Sequence, residues 1–411
     1  MAKIGIMGHG TVGSGVAKIL FDSAELMANR AGEPVEVAKI LDLRDFDDLP
    51  YSDRFTKDVN DIIGDDSIDV VVECMGGIGA AYQFTKMALL AGKHCITSNK
   101  ELIATHGKEL LTIAAKNKVN YLYEASVGGG IPIVRPLRQC LAANHVVRIA
   151  GILNGTTNYI LTRMKDGGVA FDMALKEAQE LGYAELDPSA DVLGHDAQRK
   201  ICILSHAAFG AELDTSMISC SGIDTLTRED MVYAKEMGRI IKLIAMSQRT
   251  DEGYYALVAP MLVPLGSPIS VVNDVFNGVM VRGDMVGDTM FYGRGAGMLP
   301  TASAVCGDII DAIWHKNDVK AADKYSDEAP KAPDPADAPT RLFVRIKGLE
   351  HSEEEAYVLE KMEDIRIVRL SRYPDEFGFI TREAPLKVLN EEVDALKSRV
   401  EVLQRIRYES L

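Results

Sequence analysis

Lys3-Ile4-Gly5-Ile6-Met7-Gly8-His9-Gly10-Thr11-Val12-Gly13 decides the fold. An apolar run of strand length meets G-x-G-x-x-G where a helical pattern begins, the context that a dinucleotide-binding turn requires. Gly8 permits the tight turn, Gly10 lets the backbone approach a pyrophosphate, and Gly13 lets helix pack on strand, while the helix N-terminus faces the phosphates. His9, Thr11 and Val12 complete this candidate cofactor turn. The alternative is an ordinary packing turn.

Working outward, strands are expected at Val35 to Leu41, Asp69 to Cys74, His94 to Thr97 and Tyr121 to Glu124. Between them, helical spacing covers Thr11 to Asn29, Ala80 to Ala91 and Gly107 to Asn117. The alternation predicts an α/β fold, a Rossmann-type doubly wound parallel sheet, over residues 1–130. Ligands bind such sheets at the carboxyl ends of the strands. Asp42 ends the second strand, where a carboxylate would accept hydrogen bonds from an adenosine ribose and repel a 2'-phosphate, favouring NAD over NADP. Arg44 could bind that phosphate, and Asp42 could equally be a solvated strand-end residue. Glu73-Cys74-Met75-Gly76-Gly77 suits a backbone-exposing turn, at Met75 and Gly76, that lines the nicotinamide half; the alternative is an ordinary strand-to-helix turn. Lys100, in Thr97-Ser98-Asn99-Lys100, is expected to face cofactor or substrate, the alternative being a surface lysine at a helix N-terminus.

Residues 131–294 change to longer elements, among them Val146 to Leu153, Asn158 to Lys165, Ala170 to Leu181 and Leu193 to Ala208. They read as a second, α+β domain for the substrate. The helical stretch Thr301 to Trp314 is expected to return to the first domain, completing it with residues 295–317. Residues 318–340, with Pro330, Pro333, Pro335 and Pro339, read as a linker. Residues 341–411 follow the order β-α-β-β-α-β, with strands at 341–347, 365–373, 376–382 and 401–408 and helices at 352–362 and 386–400. That order is ferredoxin-like.

Composition excludes several classes. The 411 residues carry 45 basic and 60 acidic side chains, a net charge of -15, with no concentrated basic patch, so nucleic acid is not an expected partner. No apolar run of about 18 residues could span a membrane, and no signal-peptide pattern precedes the first strand, which points to the cytoplasm. Six cysteines without a C-x-x-C pair and eight histidines without H-x-x-x-H spacing suggest neither a disulfide framework nor a transition-metal site.

The densest polar segment runs from Glu185 through Asp187, Asp191 and Asp196 to Lys200. Asp196 and Lys200 are four apart and share a helix face. A capped helix with a surface ion pair is the bland interpretation. Carboxylates and a lysine ahead of the apolar Ile201-Cys202-Ile203-Leu204 also suit a substrate that carries both an ammonium and a carboxylate.

Over nearly all of residues 1–315 the sequence resembles the homoserine dehydrogenase family, through GHGTVGSGV, VVECMGG, TSNKELIA, EASVGGGIPI, GILNGTTNYIL, ELGYAELDPSADVLGHDAQRK and GRGAGMLPTASAV. The resemblance implies reversible NAD(P)-dependent reduction of aspartate 4-semialdehyde to homoserine, on the way to threonine and methionine. Alternatives are a dehydrogenase of another short amino-acid aldehyde or of aspartate, and a catalytically silent dinucleotide-responsive regulator. By motif position, the resemblance makes Lys200 the proton donor, Lys100 a second lysine on cofactor and substrate, and Asp196 the residue that orients Lys200. It assigns Glu185 and Asp191 to the substrate amino group, Asn154 and Thr156 to substrate binding, and Gly297 to the turn back to the nicotinamide. The resemblance also implies that carbonyls of Glu124, Val127, Gly129 and Ile131 surround a sodium ion, with a glycine-rich domain hinge as the alternative role of this loop. A homodimer through the second domain is implied, with a tetramer through the tail as an alternative. The C-terminal unit matches the family's small-molecule-sensing ACT domain. Its ligand loop, however, is Lys347-Gly348-Leu349-Glu350-His351-Ser352, without the usual acidic residue followed by Pro-Gly.

Overall fold

β1 (Ala2–Met7) is apolar on both faces, as a strand covered by helices on both sides must be. In the computed structural model, which describes residues 1–210, 213–317 and 332–410, it lies at the centre of a six-stranded parallel sheet. The order is β3-β2-β1-β4-β5-β6, with β2 (Val35–Leu41), β3 (Phe55–Thr56), β4 (Val70–Glu73), β5 (His94–Thr97) and β6 (Tyr121–Leu122). Strand order reverses between β1 and β4, and the cleft of a doubly wound sheet opens at such a point.

The chain divides into two units, residues 1–145 with 202–215 and 293–330, and residues 146–201 with 216–292 and 331–411. In the first unit, α1 (Thr11–Asp22) and α2 (Ala24–Ala31) replace the single helix expected to Asn29, because the chain leaves helical geometry at Ser23. α3 (Asn60–Ile63) and α4 (Gly79–Leu90) follow. α5 (Lys100–Asn117) begins earlier than its apolar spacing predicts, since the Asn99 side chain caps it by accepting from the Leu102 N–H at 3.0 Å. β6 is shorter than expected: the chain turns at Glu124–Ser126 and continues into α6 (Val134–Arg138). α12 (Met298–Trp314) lies on α1, where a Cβ on Gly15 would stand 2.9 Å from Met298 Cγ. Ile4, Ile6, Val72, Ile96, Val305 and Ile309 join that packing in one core.

The second unit is built on a mixed sheet of β7 (Val146–Ile152), β8 (Ser219–Cys220), β9 (Arg239–Thr250), β10 (Gly253–Pro264), β11 (Phe276–Gly283) and β12 (Gly287–Arg294). The long hairpin of β9 and β10 is an element the sequence pattern does not separate from helix. α7 (Gly155–Gly167), α8 (Phe171–Glu180), α9 (Ser189–Val192), the start of α10 (His195–Phe209), whose residues from 202 onward belong to the first unit, and α11 (Arg228–Glu236) complete this part. The helix expected from Leu193 starts at His195 because Gly194 takes φ +86°, a left-handed conformation.

The C-terminal module contains β13 (Pro339–Lys347), α13 (Glu353–Lys361), β14 (Arg366–Val368), β15 (Glu376–Ile380), β16 (Ala384–Pro385), α14 (Leu386–Leu396) and β17 (Glu401–Tyr408). Its main sheet order, β17-β13-β15-β14, is that of a ferredoxin-like fold. The module is continuous with the rest of the second unit: β17 pairs in parallel with β10, and Arg345 meets the fully buried Asp230 at 2.6 Å. Of the expected linker, residues 318–331 lie outside the described residues. No helix among the described residues is long and apolar enough to cross a membrane.

Candidate functional site

In the first unit, β1 ends in a turn that nothing but glycine could make. Gly8 has φ +97°, and a Cβ on Gly13 would fall 1.9 Å from the Gly8 carbonyl oxygen. A Cβ on Gly10 would meet nothing within 4 Å, and no side chain caps α1 behind it. The first N–H groups of α1, from Thr11, Val12 and Gly13, therefore open onto free space, the arrangement that receives a pyrophosphate. Beside this turn is a cleft of about 620 Å³, lined mostly by apolar surface and by Gly8, Gly10, Asp42, Arg44, Met75 and Gly76. Its shape and donors fit a dinucleotide.

His9 contributes packing and backbone. Its ring meets Phe46 and Phe55 edge-on, at 4.7 and 5.0 Å between centroids, and burial holds its pKa below the ordinary value. Its N–H donates to Asp42 Oδ2 at 2.8 Å. Asp42 also accepts from the Arg44 N–H at 3.0 Å and from the Arg44 guanidinium at 3.0 and 2.9 Å, which holds its carboxyl far below the usual range. The two residues weighed for cofactor choice are thus one ion pair. Lys57 lines the same cleft, and no sequence signal singled it out.

The carboxyl ends of β4 and β5 are tied together by Glu73. Its buried carboxylate accepts from Thr97 Oγ1 at 2.5 Å and from the Met75 N–H at 2.7 Å, and burial pushes its pKa up to about 7. Thr97 Oγ1 in turn accepts from the Asn99 N–H at 2.9 Å, and Asn99 Nδ2 donates to the Gly77 carbonyl at 2.7 Å. This frame fixes the Glu73–Gly77 turn, which the sequence assigns to the nicotinamide half, and the Thr97–Lys100 turn, which it assigns to cofactor or substrate. It places Lys100 as the first residue of α5.

Glu124 does more than its motif suggests. Its buried carboxylate accepts from the N–H groups of Ile133, Val134 and Arg135 at 2.6, 2.9 and 2.6 Å, capping α6. Its own N–H donates to Asp308 at 2.9 Å, and Arg135 pairs with Asp308. Burial pushes Asp308 up to about 7 against the opposing pull of Arg135. An aspartate inside the apolar helix of Val305-Cys306-Gly307-Asp308-Ile309-Ile310 was the signal available for this anchor. Among the described residues, the carbonyls of Val127, Gly129 and Ile131, all three residues buried, receive no hydrogen bond. Gly129, at φ +54°, lies so close to Gly295 that a Cβ would be 2.5 Å from its carbonyl. Gly297, at φ +117°, caps α12 in a conformation that favours glycine.

In the second unit a buried polar cluster forms where β7 runs into α7. Lys200 Nζ lies 2.7 Å from Asp196 Oδ2 and donates to the Leu153 carbonyl at 2.8 Å. Lys200 is 9% exposed and Asp196 4%, so the surface ion pair is excluded. Asn154 joins the carboxylates: its Nδ2 donates to Asp196 at 2.9 Å and to Asp191 at 2.7 Å, while its Oδ1 caps α7 by accepting from the Thr157 N–H. Burial raises the Asp191 pKa above the ordinary carboxylate value. Thr156 Oγ1 donates to the Tyr183 carbonyl at 2.6 Å. Asp191, Asp196, Asn154 and Lys200 are therefore brought together. Glu185 is exposed and is tied in through its carbonyl, which accepts from Gln179. Among the described residues no cluster of His, Cys, Asp and Glu could hold a metal ion.

Such a cluster holds an ammonium in a dry site beside carboxylates, where it can neutralise and protonate an oxyanion. Residues 8–124 match the family model for the homoserine dehydrogenase NAD-binding domain, and residues 132–310 that for homoserine dehydrogenase. Homoserine dehydrogenase of Neisseria gonorrhoeae is 45% identical over 311 residues, 75% of this chain and 72% of the relative. A solved homoserine dehydrogenase from Thiobacillus denitrificans superposes with a TM-score of 0.92 at 36% identity, over 100% of this chain and 98% of its own. A hyperthermophilic archaeal homoserine dehydrogenase, solved in complex with NADPH, matches at a TM-score of 0.66 and 27% identity, over 78% of this chain and 99% of its own.

Proposed function

The chain belongs to the homoserine dehydrogenase family of NAD(P)-dependent oxidoreductases, and from that premise we propose which of its residues carry the reduction of L-aspartate 4-semialdehyde to L-homoserine. The observation that supports the assignment is the buried grouping of Lys200, Asp196, Asn154 and Asp191. A bound nicotinamide supplies hydride to the aldehyde carbon. Charge then develops on the carbonyl oxygen, and the Lys200 ammonium stabilises it and gives up a proton to form the alcohol. A placed donor of this kind lowers the barrier by roughly 3–4 kcal/mol. Asp196 aims Lys200 through their 2.7 Å contact.

Asp191 and Glu185 are assigned to the substrate ammonium, and a raised Asp191 pKa suits a carboxyl that gains a cationic partner on binding. Asn154 and Thr156 hold the start of α7 beside it. Gly8 to Gly13, Asp42, Met75, Gly76 and Gly297 are the cofactor residues, with Lys100 contacting cofactor and substrate. NAD and NADP both remain compatible with an Asp42–Arg44 pair. Sodium is proposed on the carbonyls of Glu124, Val127, Gly129 and Ile131, because buried carbonyls without donors need a cation or water. A homodimer is supported by β12, an edge strand with Met285 and Tyr292 exposed at or beside it. The test is Lys200→Ala: kcat for homoserine oxidation should fall about 1,000-fold with dinucleotide affinity unchanged. Near-normal turnover removes Lys200 from the role.

A further inference from the structure

Strand β9 reads Arg239-Ile240-Ile241-Lys242-Leu243-Ile244-Ala245, and its lysine is 0% exposed. The ammonium donates to Asn158 Oδ1 at 3.0 Å, to Asn273 Oδ1 at 3.2 Å and to the Val272 carbonyl. All three acceptors are neutral. The charged groups facing it are Lys165 and Asp166 on α7 and Asp274 on the loop before β11, and they act at longer range. A buried ion without a counter-ion is strongly unfavourable, and an apolar side chain of equal length would stabilise the strand better. Lys242 therefore has work beyond filling the core.

Its partner shows what that work is. Asn158 lies one helical turn beyond Asn154, and its own Nδ2 donates to the carbonyls of Val272, Asp274 and Phe276 at 3.2, 3.0 and 3.1 Å. β7 pairs with β9 so that Gly151 faces Ala245, and continuing that register sets Asn154 opposite Lys242. The first turn of α7 is thus clamped to β9 and to the 272–276 segment directly behind the residue that holds Asp191 and Asp196.

We propose that Lys242 is a positioning residue for the reaction: through Asn158 it fixes the first turn of α7, so that Asn154 keeps Asp191, Asp196 and Lys200 in their mutual geometry. Lys242 contacts none of these carboxylates and acts on them through α7. The inference rests on the assignment of Lys200 as proton donor. Burial pulls the Lys242 pKa down to about 7, so the clamp loses one of its three donors as pH rises through neutrality.

Lys242→Met keeps the length and removes the charge. A displacement of the clamp by even a fraction of an ångström should lower kcat and raise the homoserine KM by about 10- to 100-fold in kcat/KM, with the dinucleotide KM held within about twofold. Melting temperature should stay level or rise, because a buried charge has gone. Wild-type kcat and homoserine KM in the folded variant overturn the proposal, as does an equal loss in the dinucleotide KM. If Lys242→Met does not fold, Asn158→Ser, which removes the amide and leaves the lysine, must give the same split; an Asn158→Ser enzyme with unchanged constants overturns it equally. Lys200→Ala measured in parallel separates the two failures. An inactive Lys200→Ala beside a wild-type Lys242→Met leaves the proton donor standing and sinks only the positioning role, whereas an active Lys200→Ala sinks the assignment on which it rests.

Discussion

Glu73 in the cofactor unit and Lys242 in the substrate unit are built alike with opposite charge. Each is fully buried, each is surrounded by neutral partners, and burial brings each to a pKa of about 7, one from below and one from above. Each also ties two chain segments together behind functional residues: Glu73 the β4 and β5 turns, Lys242 the start of α7 and the 272–276 segment. The difference lies in distance from the chemistry. Glu73 bonds the N–H of Met75, itself assigned to the cofactor, whereas Lys242 reaches the proposed catalytic cluster only through a turn of helix. Perturbing the first should therefore register in cofactor constants, and perturbing the second in substrate constants.

The largest effect that would break this division is at Asp196. Its Oδ2 accepts from Asn154 and faces Lys200, so an amide at this position, even with its oxygen turned toward both donors, leaves Lys200 without its counter-charge. Asp196→Asn should lower kcat about 100-fold, as for a misplaced and uncompensated catalytic cation, while dinucleotide binding is unchanged. Steady-state rates with titrated homoserine, together with dinucleotide fluorescence titration, read the two separately. Loss of both together would show that the halves are not independent.

Stability against pH sharpens the comparison next. For Glu73 the unfolded carboxyl titrates near 4.5 and the folded one near 7, so between those values the folded state binds the extra proton and stability falls as pH rises. For Lys242 the unfolded amine titrates near 10.5 and the folded one near 7, so from 7 to 10.5 the unfolded state binds the extra proton and stability rises with pH. The Glu73 limb is worth on the order of 3 kcal/mol and the Lys242 limb on the order of 5 kcal/mol. Asp308, also pushed up to about 7, adds to the acid limb. Urea denaturation should show Glu73→Gln flattening the acid side alone and Lys242→Met the alkaline side alone. A Glu73→Gln enzyme with the wild-type acid slope would leave Asp308 as its source.

The two halves also differ in how much of them the sequence disclosed. The cofactor turn was readable because each glycine answers a local demand, a positive φ at Gly8 and a bare contact at Gly13, and local demands leave their mark on neighbouring residues. Lys200 and Asp196 were paired by helical spacing, but their burial was not visible, since it depends on β7 and its Leu153 carbonyl far away in the chain. Lys242 and Asp308 did carry a signal, a charge inside an apolar run. Their partners did not: Asn158 and Val272 are distant from Lys242, and Glu124 from Asp308. The β9–β10 hairpin was missed because long apolar strands buried on both faces lose the period of two. The division near Ser23 turns on a backbone excursion that side-chain periodicity does not record.

The smallest expected effect concerns cofactor choice, and it tests whether the cofactor half holds a fixed preference at all. Asp42 takes every hydrogen bond it is given from His9 and Arg44, and the Arg44 side chain is 63% exposed. The Asp42 end of the pair is only 10% exposed, but the guanidinium end is solvated, so Arg44 can turn toward a bound phosphate while the His9 N–H still serves Asp42. A bound NADH would offer its ribose hydroxyls to Asp42. A bound NADPH would bring its 2'-phosphate to Arg44 and Lys57, both on the cleft wall, and against the charge of Asp42. On the proposed assignment the two sides oppose each other, and removing either should expose the other. Asp42→Ala should move the ratio of kcat/KM for NADPH over NADH up about tenfold, and Arg44→Ala should move it down by a similar factor, each about 1.4 kcal/mol. The homoserine KM should be unaffected in both, since these residues belong to the adenosine end of the cleft. Shifts in the same direction for the two variants would mean that the pair acts only as a structural clasp on the Gly8–Gly10 turn, with cofactor choice made by Lys57 alone.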